Sequence, residues 1–148
     1  MKHKITLRCD MDGLYKALTS PLIESYEEVK KKTPSEDELK HGLTFQTRVT
    51  TDTKNKRYAT VKVLKYDRPH QFKTEYRSDT YHKITTFVLE DAGNEHTSLT
   101  YELIEEKIRN GTVVQTRGNE NPDKTGSVPL LERRKYLRLA EAIRKNKI

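Results

Sequence analysis

Three tyrosines, Tyr76, Tyr101 and Tyr136, fall on the apolar sides of the segments that carry them. Their hydroxyls would enter an otherwise apolar interior. Apolar walls with a few placed hydroxyls are what small-molecule pockets use to orient a ligand. By strand alternation Phe45, Phe72, Thr74 and Phe87 share that inward side, and Ala140 shares a helical face with Tyr136. These eight residues form the candidate ligand-binding set. The competing expectation is plain core packing, each tyrosine keeping its hydroxyl near the surface.

Other chemistry is thinly represented. Glu102, Glu105 and Glu106 could include an acid–base pair, but alternation puts Glu102 and Glu106 opposite Tyr101, on a solvated face. The five histidines (His3, His41, His70, His82 and His96) sit mostly at strand ends or turns and read as surface residues. No pair has the helical i,i+4 spacing of a metal site, and HExxH is absent. Cys9, the one cysteine, ends an apolar strand face and reads as a small buried hydrophobe. No phosphate-cradling glycine loop is present. The sequence therefore points to no catalytic residue, no metal and no cofactor, and leans away from an enzyme.

The strongest charge feature is the C-terminus. From Glu132 onward seven Lys/Arg face only Glu132 and Glu141, so this segment holds most of the chain's net charge of +7. Arg133, Arg134 and Arg138 define a basic patch. The alternative function is thus an interaction or regulatory protein that offers this helix to nucleic acid or an acidic partner. Nucleic acid is the less favoured occupant, because base readers need stacking or base-edge residues. The one aromatic here, Tyr136, belongs to the apolar stripe.

These residues need elements to position them. Ile5, Leu7 and Cys9 alternate in a first strand. "DGLYKALTSP" and "PLIESYEEVKKK" read as two short helices joined at Ser20-Pro21, a serine cap with proline in the first helical position. "TPSEDELKHG" is a connector with room for one turn of helix. Beyond Gly42 the apolar period changes to two, and strands follow at roughly ten-residue spacing. Links this short permit only antiparallel neighbours, since a parallel crossover needs about a dozen residues or more. The strand from Arg57 to Tyr66 is apolar on both sides, which leaves the direction of Tyr66 open. Residues 108–128 read as a polar, mobile loop with only "TVVQT" strand-like. "PLLERRKYLRLAEAIRKNK" is a long amphipathic helix with Leu130, Tyr136, Leu137, Leu139, Ala140 and Ile143 as its apolar stripe.

A chain of 148 residues suits one domain, 1–148. At 32% hydrophobic residues and no Trp, its core must rely on eight Tyr and three Phe. The economical packing is α+β: a curved antiparallel sheet wrapped around the long C-terminal helix, with two short helices after the first strand plugging one end. The N-terminus lacks an apolar leader, and no run is long enough to span a membrane, so the expected location is the cytoplasm.

This order resembles the helix-grip fold of the START-like, Bet v 1-like (SRPBCC) superfamily. The opening "ITLRCDMDGLYKALTSP" and the strand–turn order of "VLKYDRPHQFKTEYRSDTYHKITTFVLED…HTSLTYELIEE" carry the resemblance. "DELKHGLTFQTRV" and "TSLTYELIEE" are most similar to a bacterial family of unknown function within it. The stretch Asn110 to Gly126 departs from the pattern, being polar where many relatives extend the sheet. The resemblance implies a cavity between sheet and helix. Since relatives include carriers, receptors, cyclases and chaperone activators, fold alone does not select an activity. The expected partner is a small hydrophobic or amphipathic molecule; the sequence does not fix the oligomeric state.

Overall fold

The computed structural model describes residues 2–48, 58–117 and 126–145. In chain order they form β1 (Lys2–Leu7), α1 (Met11–Lys30), α2 (Glu36–Lys40), β2 (Thr44–Arg48), β3 (Tyr58–Asp67), β4 (Gln71–Arg77), β5 (Tyr81–Gly93), β6 (His96–Arg109), β7 (Thr112–Arg117), β8 (Gly126–Ser127) and α3 (Leu130–Lys145). Strands β2 to β6 are an antiparallel meander, as their short links require. The chain is a mixed α/β structure with a large curved antiparallel sheet and a C-terminal helix. β6 is long enough to take two partners along one edge: its first half pairs with β1 and its second with β7. β8 adds a short parallel pair beyond β1. The expected turn at 52–56 lies outside the described residues.

Registered partners in a sheet point to the same side, so the pairing defines rows across its inner face. One row runs Tyr66, Phe72, Phe87, Tyr101 and His3. The next runs Val63, Thr74, Thr85 and Leu103, and the third Phe45, Val61, Tyr76, Lys83 and Glu105. The two-sided apolarity of β3 has a local cause. Its register shifts between Val63 and Lys65, so Leu64 is an extra residue opposite β4. A bulge flips the alternation. Ala59, Val61 and Val63 point inward before it, and Tyr66 points inward after it.

The helix after β1 differs from the expected pair of short ones. Asp10 caps it by accepting from the Gly13 N–H at 3.1 Å, and it continues through Pro21 to Lys30. Pro21 removes one N–H, normally a strong helix breaker. Here Leu14, Leu18, Leu22 and Tyr26 recur every fourth residue across it, and all pack into the core. One unbroken apolar stripe holds both halves on the same face. The Thr19 and Ser20 hydroxyls both donate to the Lys16 carbonyl, at 3.1 and 2.8 Å, so Ser20 is not a cap. The expected turn of helix in the connector is α2, closed by a capping box between Ser35 and Glu38.

Both long helices pack against the sheet. α1 carries the fully buried Leu14 and Tyr15, and contacts β2, β5 and α3; α3 packs against β1 and α1. The Tyr15 hydroxyl donates to the Gln71 carbonyl at 2.9 Å, and its ring meets Tyr66 and Phe72 edge-on. α3 turns Tyr136, Leu139, Ala140 and Ile143 inward, but Leu130 and Leu137 are exposed and leave the expected stripe. Where α1 crosses α3 the fit is close: a Cβ on Gly13 would stand 2.8 Å from the Ile143 side chain.

Part of the expected 108–128 loop is strand. Arg109 pairs with Thr112 across Asn110 and Gly111, which have φ of 52° and 75°. Asn-Gly with both residues left-handed is the strongest two-residue hairpin signal, and it sends β7 back along β6.

Candidate functional site

The eight predicted residues divide into two groups. Phe45, Phe72 and Ala140 are buried in the core, with Phe45 edge-on to Tyr26 and Phe72 against Tyr15. Thr74, Tyr76, Phe87 and Tyr136 are half-buried, and Tyr101 lies beneath them. Of this second group, Phe87, Tyr101 and Tyr136 meet where α3 approaches the sheet, while Thr74 and Tyr76 lie on the same face in the next two rows of this inner-face band. The Tyr101 ring is 6.5 Å from Phe87, 5.8 Å from Tyr136 and 5.3 Å from His3, centroid to centroid.

The register adds residues that sequence reasoning missed. Thr85 stands opposite Thr74, and Lys83 opposite Tyr76, with the Lys83 ammonium 5.7 Å from the Tyr76 ring centroid. Tyr81 lies 6.2 Å from Tyr76. The alternation of β5 through Phe87 puts Tyr81, Lys83 and Thr85 on the same side; that signal was in the sequence. The band therefore offers aromatic surface, two threonine hydroxyls, tyrosine hydroxyls and one cation at its β4–β5 end. Such a surface can hold an apolar body and hydrogen-bond a polar group.

Three tyrosines of the band, Tyr81, Tyr101 and Tyr136, have their hydroxyls shifted upward. Burial, followed by the Glu132 charge, pushes Tyr136 up to about 12. Burial pushes Tyr101 up as well, reinforced by the hydrogen bond its hydroxyl donates to Glu132. Tyr81 is likewise pushed up to about 12, by burial and then by Glu105.

Outside the band the structure shows three other polar features. His82 is 8% exposed on the outer face of the sheet, which corrects its reading as a surface histidine. Its Nδ1 is 2.6 Å from Glu106 and its Nε2 is 2.9 Å from Glu75, with Arg77 3.3 Å from Nε2. Glu106 is thus engaged rather than merely solvated. Arg68 forks onto both carboxylate oxygens of Asp12 at 2.8 and 3.0 Å and reaches Glu36 at 2.8 Å, fastening the β3–β4 turn to the starts of α1 and α2. A pocket of about 290 Å³ lies where β1, α3 and the β5–β6 hairpin meet, lined by Arg8, Cys9, Asp10, Glu95, Ile143 and Arg144. There Arg144 donates to the Arg8 carbonyl at 2.6 Å. Cys9 is buried, as its place on the strand face implied. Among the described residues no group of three or more His, Cys, Asp or Glu is arranged to hold a metal ion, and no helix is long and apolar enough to cross a membrane. The predicted basic residues Arg133, Arg134 and Arg138 are exposed on α3.

The architecture is that of a curved sheet with helices packed on one face. The chain belongs to a family described as a domain of unknown function (DUF3284), whose model matches residues 1–117, from β1 through β7. α3, with Tyr136 and the basic residues, lies beyond the matched stretch. No curated protein matches the chain. A crystal structure of a conserved protein from Geobacillus kaustophilus is similar at 18% sequence identity and a TM-score of 0.48, with 72% of each chain covered.

Proposed function

We propose that the protein is a small-molecule binding module of the START-like, Bet v 1-like helix-grip type. It holds an apolar or amphipathic ligand between the sheet and α3, in a non-catalytic role. The observation that supports this most is the contrast along the inner face. Phe45 and Phe72 are sealed in the core, whereas Thr74, Tyr76, Thr85, Phe87 and Tyr136 are only half-buried. A face made only for packing would bury its large aromatics; these keep surface available to a ligand. The ligand's apolar body lies along Phe87, Tyr101 and Tyr136. Its polar group meets Thr74, Thr85, Tyr76 and Lys83.

A thermal-shift panel of amphipathic molecules tests this, since a ligand that binds only the folded form raises the melting temperature. The expected result is stabilisation by one class of amphipath, lost in Phe87→Asp. A flat response across carboxylates, amines and neutral amphipaths would overturn it.

A further inference from the structure

We propose that the first two and a half turns of α3, residues 130–138, form a docking surface for an anionic lipid bilayer. The buried side of α3 is occupied by Tyr136, Leu139, Ala140 and Ile143. Its outer side is not simply polar. Leu130 is 65% exposed, Leu131 80% and Leu137 47%. Between and beside them stand Arg133, Arg134, Lys135 and Arg138, all exposed. The one acid in these turns, Glu132, takes the Tyr101 hydroxyl on the inner side. Further along, Glu141 is paired with Lys145 at 3.1 Å, so negative charge on the outer side is confined to the later turns.

Charge complementarity selects the occupant. Four cations against the one acid, already engaged by Tyr101, repel a second copy of the same surface and attract an anionic one. Nucleic acid would satisfy the cations but leave three leucines with nothing to contact. Adjacent Leu130 and Leu131 diverge by about 100° around the helix axis. Leu137 lies beside Leu130, while Arg134 and Arg138 fall between Leu130 and Leu131, so the leucines do not form the uninterrupted apolar stripe that a protein groove receives. A fluid headgroup layer accepts the whole arc: the leucines enter it, and the long Arg and Lys side chains reach the phosphates. Docking here stands without the ligand-binding reading. If that reading also holds, the bilayer faces the α3 side of the aromatic band, on the route an amphipathic ligand would take.

The test is co-sedimentation of the full chain with vesicles, either phosphatidylcholine alone or equal parts phosphatidylcholine and phosphatidylglycerol. Binding to the mixed vesicles at low salt is expected, with none to the neutral ones. Each cation near an anionic surface contributes about fivefold, so Arg134→Glu/Arg138→Glu should lower binding by more than about tenfold. Leu130→Ser/Leu131→Ser should retain low-salt binding but lose it near physiological salt, where screening leaves the apolar contact dominant. All four side chains are exposed, and circular dichroism checks that the variants fold. Absence of binding to the mixed vesicles at low salt, or binding that both variants leave unchanged, would overturn the proposal. So would tighter binding of a double-stranded oligonucleotide or a polyglutamate peptide than of the vesicles. A Thr85→Trp variant, which fills the aromatic band, should bind vesicles as before, so loss of ligand and loss of docking are read separately.

Discussion

The Tyr101 hydroxyl donates to the Glu132 carboxylate, tying the middle of β6 to the first turn of α3. It is a charge-assisted contact at the start of a helix that is otherwise fastened by a short apolar strip and by Arg144 on the Arg8 carbonyl. Tyr101→Phe keeps the ring stacking and removes only the donor. A hydrogen bond to a charged group is worth about 1.5–3 kcal/mol; with Glu132 on the surface, a loss near the lower figure is expected in urea denaturation. Glu132→Gln should cost less, because the amide oxygen can still accept.

Alkaline pH should unfold the protein through its buried tyrosines. Tyr15, Tyr101, Tyr81 and Tyr136 are all raised by burial, the last two to about 12. The unfolded chain releases these protons from about pH 10. The folded chain holds them longer, so the stability they contribute is complete below pH 10 and is lost as pH rises towards 12. Each tyrosine contributes at most about 1.4 kcal/mol per pH unit in that window. Denaturation midpoints taken across it should fall steeply, and Tyr136→Phe should make the fall shallower.

Gly13 should resist substitution. A Cβ there would stand 2.6 Å from the Asp10 carboxylate and 2.8 Å from Ile143, so Gly13→Ala must push α3 away or disturb the cap of α1. Overpacking of this kind costs about 1–3 kcal/mol, against the few tenths to about 1 that alanine gains in a helix. A lowered melting temperature is expected; a raised one would show that α3 yields without cost.

Arg68 should act as an acid-sensitive clamp. Its two hydrogen bonds to Asp12 hold that carboxyl below its ordinary value. The stability this adds is present above about pH 4 and is lost as pH falls below it. The partners are exposed, so Arg68→Ala should cost only about 1 kcal/mol at neutral pH. The difference between variant and parent should shrink in melts below pH 4.

Removing the His82 ring would leave the partly exposed Glu75 and Glu106 without the group that bridges them. His82→Ala should cost about 1–2 kcal/mol, the lower part of the range for a group that loses its hydrogen-bond partner. Adding Glu75→Gln and Glu106→Gln should recover part of it. Strict additivity in the double-mutant cycle would show that the three residues do not act together.

The sequence carried the strand order, the inner face of β4 and β6, the buried Cys9 and the α2 turn, because each rests on local periodicity. It misled where distant contacts decide. Ser20-Pro21 has the local form of a helix start, yet the stripe from Leu14 to Tyr26 packs against the core as one face. β3 hid a bulge, since a single inserted residue leaves both faces apolar and only the β4 register shows which one turns. Lys83, Thr85 and Tyr81 were on the page by alternation, but their approach to Tyr76 needed the β4–β5 register. His82 gave no signal, because its carboxylates come from two other strands. Leu130 and Leu137 fit the α3 stripe by spacing, and only the reach of β1 and α1 leaves them outside.

Native mass spectrometry of freshly purified protein, beside the Thr85→Trp variant, tests the central claim most directly. The expected result is a non-covalent small-molecule adduct on the parent chain that dissociates on denaturation and is absent from the variant, with both folded by circular dichroism. A parent chain that flies bare and takes up none of the thermal-shift amphipaths, or an adduct retained equally by the variant, would contradict it.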